Sequence, residues 1–141
     1  MKRIILGMAK DKKSTLASLE AKTPELMDTL IKLYLYPDHE SVNHWRQEVA
    51  AFINSTPRLK SNNKFPKAKD ILKNTWYIWE DCLLDHINPI MEDYGDVKYH
   101  INKNDLYYSC QKYFEWLANQ LAANGLVSKK SIYEILNDLG F

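Results

Sequence analysis

The sequence predicts an all-α protein: a single domain of five or six helices, mostly antiparallel, with a helix–turn–helix at its C-terminal end. Three observations carry this expectation. Apolar side chains recur at steps of three and four in successive segments, the period of a helix face. Glycine is scarce, at four in 141 residues, whereas an all-β chain needs glycine in its turns. Prolines and small polar residues fall between the periodic segments, where helices start and stop.

Residues 1–13 carry five basic side chains and one acid. They read as a basic N-terminal arm, with Ile4–Leu6 as an edge strand or docked piece, ahead of one helical domain over residues 14–141. Ser14 is placed to cap a short helix through Glu20. Thr23-Pro24-Glu25 reads as the next helix start: Thr23 can accept from first-turn amides, and Pro24 sits where no donor is needed. Leu26, Met27, Leu30, Ile31, Leu33 and Tyr34 follow at helical spacing, and Pro37 stops the run. Ser41 is the expected cap of a helix with Val42, Trp45, Val49, Phe52 and Ile53 on one face. Pro57 ends it, and residues 54–65 read as a polar loop.

Pro66 opens a long helix with Ile71, Leu72, Thr75, Trp76, Trp79, Leu83, Leu84, Ile87 and Met91 on its apolar side. Pro89 should kink or split it near His86–Asn88, and Gly95 should end it. Asn104 to Asn124 then forms a long amphipathic helix that buries Leu117, Ala118 and Leu121. Gly125 supplies its left-handed end. A short helix follows, with Ser128 and Ser131 as caps and Ile132, Ile135 and Leu136 buried.

Composition narrows the class. Apolar residues make up 45% and charged residues 26%, ordinary for a globular domain. The Ile4–Ala9 run is too short for a secretory leader, because Lys10-Asp11-Lys12-Lys13 follows directly. No apolar run reaches the roughly 20 residues of a membrane span. A cytoplasmic protein is the expectation. Cys82 and Cys110 are read as reduced, buried thiols rather than a disulfide framework.

Few chemistries find support. No nucleophile elbow, phosphate-cradling glycine loop or dinucleotide fingerprint is present. His44 and Glu48 share a helix face, a two-ligand geometry, but a zinc site needs three or four ligands. The expectation is therefore no catalytic residue, no metal and no cofactor.

Charge patterning is more informative. Arg58, Lys60, Lys64, Lys67, Lys69 and Lys73 cluster with Asp70 alone among them, and Glu80, Asp81, Asp85, Glu92, Asp93 and Asp96 then follow with no Lys or Arg between. Two opposite patches on one small domain point to a protein partner or a second copy. The expected function is a non-catalytic interaction or regulatory module, with Arg58, Lys60, Lys64, Lys67 and Tyr77 as partner contacts. Tyr77, Tyr107 or Tyr108 should remain outside when facing helices bury most of the other rings.

The stretch Val127 to Leu136 resembles the turn and recognition helix of bacterial DNA-binding helix–turn–helix motifs. That resemblance implies nucleic-acid contacts from Lys129, Lys130, Ser131 and Tyr133, with the 58–73 basic stretch as a phosphate tether. The sequence departs from the motif in a longer turn, in Glu134 and Asp138, and in lacking an arginine on the second helix.

Overall fold

The computed structural model describes residues 2–56, 67–97, 101–123 and 126–141, with the backbone alone for residues 2–15. Among the described residues there are six helices: α1 (Lys2–Leu35), α2 (Val42–Ser55), α3 (Ala68–Trp79), α4 (Ile87–Tyr94), α5 (Lys103–Ala122) and α6 (Lys129–Asp138). A 3-10 turn, Leu83–His86, joins α3 to α4. No strand occurs among the described residues.

Helix α1 is the spine, packing against α2, α3, α4 and α5. It corrects the sequence reading at its middle. Thr23 does not cap a new helix; its hydroxyl donates to the carbonyl of Leu19, 2.6 Å away, inside a continuous helix that contains Pro24. Burial explains why the helix runs through the proline. Leu19, Thr23, Leu26, Met27, Leu30 and Leu33 keep one face against the core, and that packing outweighs a local breaker. The residues read as an arm, 2–13, continue the backbone of α1.

Other expectations are corrected locally. Ser41 stands at the N-cap position of α2, but its side chain makes no capping bond; its amide donates instead to His39 Nδ1 at 3.0 Å. The long third helix breaks earlier than Pro89, with turns over Glu80–Cys82 before the 3-10 segment. Pro89 then falls in the first turn of α4, where its missing N–H would have had no helical partner. This break turns Cys82 and Leu84 outward, so neither is in the core. Gly95 ends α4 as expected, with φ +93°. Of the stretch 54–65 read as a polar loop, Asn54 and Ser55 belong to α2; residues 57–66 and Gly125 lie outside the described residues.

The last two helices are capped by side chains. Asn102 Oδ1 accepts from the amides of Asn104 and Asp105 at 3.1 Å each, and Ser128 Oγ accepts from the Ser131 amide at 3.1 Å. Helix α6 packs on α2. Arg46 donates to Asn137 Oδ1 at 2.7 Å and to the Phe141 carbonyl at 3.2 Å. Asn54 brackets the backbone of Val127, donating to its carbonyl at 3.0 Å and accepting from its amide at 3.3 Å. The buried Phe141 ring meets Tyr34 and Tyr113 edge-on.

Tyr113 offers a direct test of that core. Its side chain is fully buried, and its hydroxyl has no hydrogen-bond partner among the described residues. Burial pushes the phenol up from its ordinary value. A buried hydroxyl without a partner costs about 1–3 kcal/mol in desolvation, while the ring does the packing. Tyr113→Phe is therefore expected to leave urea stability unchanged or raise it by up to about 1 kcal/mol. A loss larger than that would reveal a partner for the hydroxyl.

Candidate functional site

Helix α3 buries Ile71, Thr75 and Trp76, so its last turn must present Tyr77 and Ile78 outward. They are 52% and 43% exposed. The chain keeps turning through hydrogen bonds from the amides of Glu80 to Trp76, Cys82 to Trp79 and Asp85 to Cys82. Leu83 goes in and Leu84 stays 38% exposed. Carboxylates surround these side chains in sequence: Asp81, Asp85, Glu92, Asp93 and Asp96 are exposed, and Glu80 is half-buried. Glu80 accepts from the Tyr107 hydroxyl at 3.2 Å. Burial first, and that carboxylate second, hold the Tyr107 phenol above its ordinary value.

A second feature lies where the α1–α2 turn meets the end of α4. Tyr36 and His39 come from the turn, and Tyr94 from the last residue of α4. The Tyr36–Tyr94, His39–Tyr94 and Tyr36–His39 ring centroids are 5.7, 5.5 and 6.5 Å apart. His39 also stacks on the buried Trp45 ring at 4.8 Å. The Tyr36 hydroxyl donates to the Gly95 carbonyl, tying the turn to α4. These rings border a cleft of about 230 Å³ with Pro37, Asp38 and Asp96. Burial, then Asp96, push the Tyr36 phenol up. On the neighbouring side, Lys32 Nζ sits 5.2 Å from the Tyr94 ring centroid.

A larger groove, about 500 Å³, runs between α1 and α2 and is bordered by Lys22, Glu25, Asp28, Thr29, Lys32 and Glu48 among others. Two histidine–carboxylate pairs belong to this region. His44 Nε2 lies 2.9 Å from Glu48 and is largely exposed. His86 Nδ1 lies 2.8 Å from Asp28. No three potential metal ligands converge among the described residues. Cys110 is fully buried, and burial raises its thiol well above the usual range, so it is shielded as a nucleophile.

The sequence-derived contact residues are not all brought together. Arg58, Lys60 and Lys64 lie outside the described residues. Lys67 is exposed at the N-cap of α3. Tyr77 is ten positions further along the helix, about 15 Å away. Lys129, Lys130 and Ser131 are exposed in the first turn of α6, but Tyr133 is half-buried with the Arg46 guanidinium 6.0 Å above its ring. The Tyr36–His39–Tyr94 cleft was missed in the sequence. Its halves are nearly sixty positions apart, as the separation of the Tyr36–Gly95 bond records. Only the aromatic and acidic character of each half was visible.

In comparisons with known proteins, no family model matches the chain, and neither a curated protein nor a solved structure shows significant similarity to it. No helix among the described residues is long and apolar enough to cross a membrane.

Proposed function

We propose that this protein is a non-catalytic interaction module that docks a basic, amphipathic segment of a protein partner. One observation carries the reading: Tyr77, Ile78 and Leu84 are exposed within a span that carries six carboxylates and no Lys or Arg. Exposed rings and aliphatics supply the contact area of a binding hot spot, and the surrounding acids select the charge of the partner. Burial of Trp76 on the opposite side of α3 fixes the helix that displays them. The chain's own basic stretch (Arg58, Lys60, Lys64, Lys67) has the complementary charge, so a second copy is one source of such a segment.

The test is fluorescence anisotropy with a labelled Lys/Leu amphipathic peptide and an acidic Glu/Leu counterpart. The basic peptide should bind, weakening with salt, and the acidic one should not. Tyr77→Ala/Ile78→Ser should weaken binding by roughly 10-fold or more, the loss of one or two hot-spot side chains. Equal binding of both peptides, or an unaffected variant, would sink the proposal. Sedimentation across a concentration series identifies self-docking. A mixed-sequence duplex serves as the comparison. Steeply salt-dependent duplex binding that is lost in Lys129→Glu/Lys130→Glu would favour the nucleic-acid reading instead.

A further inference from the structure

The cleft between the α1–α2 turn and α4 has a different character from the open face. It is small and walled by rings. Its volume of about 230 Å³ falls below the ~300–1,000 Å³ of ordinary small-molecule pockets, which suits one side chain or one head group. Tyr36, His39 and Tyr94 pack on one another, with centroids 5.5–6.5 Å apart and planes 41° to 80° apart, and all three border the cleft. Two exposed carboxylates, Asp38 and Asp96, complete the border.

The polar inventory says which ligand this suits. The Tyr36 hydroxyl is already committed to the Gly95 carbonyl. His39 Nδ1 accepts from the Ser41 amide, so in the neutral ring the proton sits on Nε2, leaving no nitrogen acceptor there. Beyond the rim carboxylates, the only further acceptors on these rings are the neutral phenol oxygens of Tyr36 and Tyr94. Against the rings, away from the rim carboxylates, a primary ammonium or a metal ion would give up hydration for neutral acceptors alone. An alkylated ammonium has little hydration to lose and is attracted to ring faces. Lys32 Nζ, 5.2 Å from the Tyr94 ring centroid, borders the neighbouring α1–α2 groove and not this cleft.

We infer that this cleft is a binding site for an alkylated ammonium group, held by Tyr36, His39 and Tyr94 and drawn in by Asp38 and Asp96. The inference stands apart from the peptide-docking face and uses none of the exposed side chains at Tyr77, Ile78 or Leu84. The group is supplied either by a methylated lysine of a protein or by a free quaternary amine.

The experiment is an aromatic carbon–proton NMR titration of the full chain with tetramethylammonium chloride. Sodium chloride at matched ionic strength and tert-butanol, a neutral molecule of similar shape, are the controls. Saturable shifts at Tyr36, His39 and Tyr94 are expected with tetramethylammonium only. Tyr94→Leu should bind roughly 3- to 30-fold more weakly, the range of a lost cation–π contact. Asp38→Asn/Asp96→Asn, at exposed positions outside the core, should weaken binding several-fold and more so at low salt. Tyr77→Ala/Ile78→Ser should leave it unchanged, which separates this result from the peptide experiment. Equal response to tert-butanol, or shifts no larger than those from sodium, would overturn the assignment. A trimethyllysine peptide that binds more tightly than tetramethylammonium assigns the source to a protein; a free quaternary amine that binds better than the peptide assigns it to a small molecule.

Discussion

Trp76→Ala is expected to lower unfolding stability by about 3–5 kcal/mol, the usual cost of deleting a large buried ring. Trp76 is fully buried. Its ring packs against Tyr107 at 5.2 Å and Phe114 at 5.4 Å, so it is the centre of the α3–α5 contact. Helix α3 also packs on α1, and a cavity there loosens both interfaces at once. Since domains of this size have a total stability of roughly 5–15 kcal/mol, this single change removes a large share of it. The midpoint of urea unfolding reads the effect directly. Trp76→Phe should cost far less. The indole N–H has no hydrogen-bond partner among the described residues, so phenylalanine gives up ring volume but also removes a buried donor that costs about 1–3 kcal/mol. A Trp76→Ala cost below about 1 kcal/mol would mean that the ring is not at the centre of this packing.

The same change bears on the proposed docking face. Tyr77 and Ile78 are displayed because Trp76 anchors the turn that carries them. Trp76→Ala should therefore weaken the basic peptide even under conditions where the chain remains folded. The Tyr36–His39–Tyr94 cleft belongs to α1, the following turn and α4, and it should be less affected. Comparison of the two ligands in one variant separates local loosening from general unfolding.

Much of this fold was legible because it rests on periodicity. Val49, Ile53, Ile71, Trp76, Phe114, Leu117 and Leu121 are buried at the expected steps, since burial of a helix face needs only residue type and spacing. Ser128 capped α6 as expected because that bond is local. What escaped the sequence is non-local. The break after Trp79 depends on Leu83 and Ile87 both reaching the core, and a straight helix through Leu84 would have matched the apolar pattern as well. The packing of α6 on α2 is held by Arg46 and Asn54, polar side chains whose partners lie 91 and 73 positions away. The cleft arises from a turn and a helix end that meet only in the folded chain. Tyr77 was legible as an exposed ring on α3, but ten positions of helix separate it from Lys67, so the two do not share one contact surface.

Pro24 is where local chemistry and tertiary packing disagree, and its replacement has a sign that decides between them. Within α1, proline removes the amide that would bond to the carbonyl of Glu20, and its ring crowds that carbonyl. An interior proline costs about 3 kcal/mol relative to alanine. Part of this is recovered because the ring restricts the unfolded chain, an effect of about 0.4–1 kcal/mol. Pro24→Ala is therefore expected to stabilise the protein by roughly 2–2.6 kcal/mol, with a matching rise in the urea midpoint. At a helix start the arithmetic reverses. There Pro24 would occupy a position where no donor is needed, and alanine would lose both the preset dihedral angle and the restriction of the unfolded chain. A loss of stability would place the start of the stable helix at Thr23–Pro24. Thr23 supplies an independent check, because its hydroxyl bonds backward to Leu19 in a continuous helix and forward to first-turn amides in a cap. Thr23→Val keeps the shape and removes the hydroxyl. A backward bond to Leu19 is incidental to a helix that already satisfies that carbonyl, so the change should be small, whereas loss of a true cap costs about 1 kcal/mol. A stabilising Pro24→Ala together with a near-neutral Thr23→Val is the outcome a single uninterrupted α1 requires.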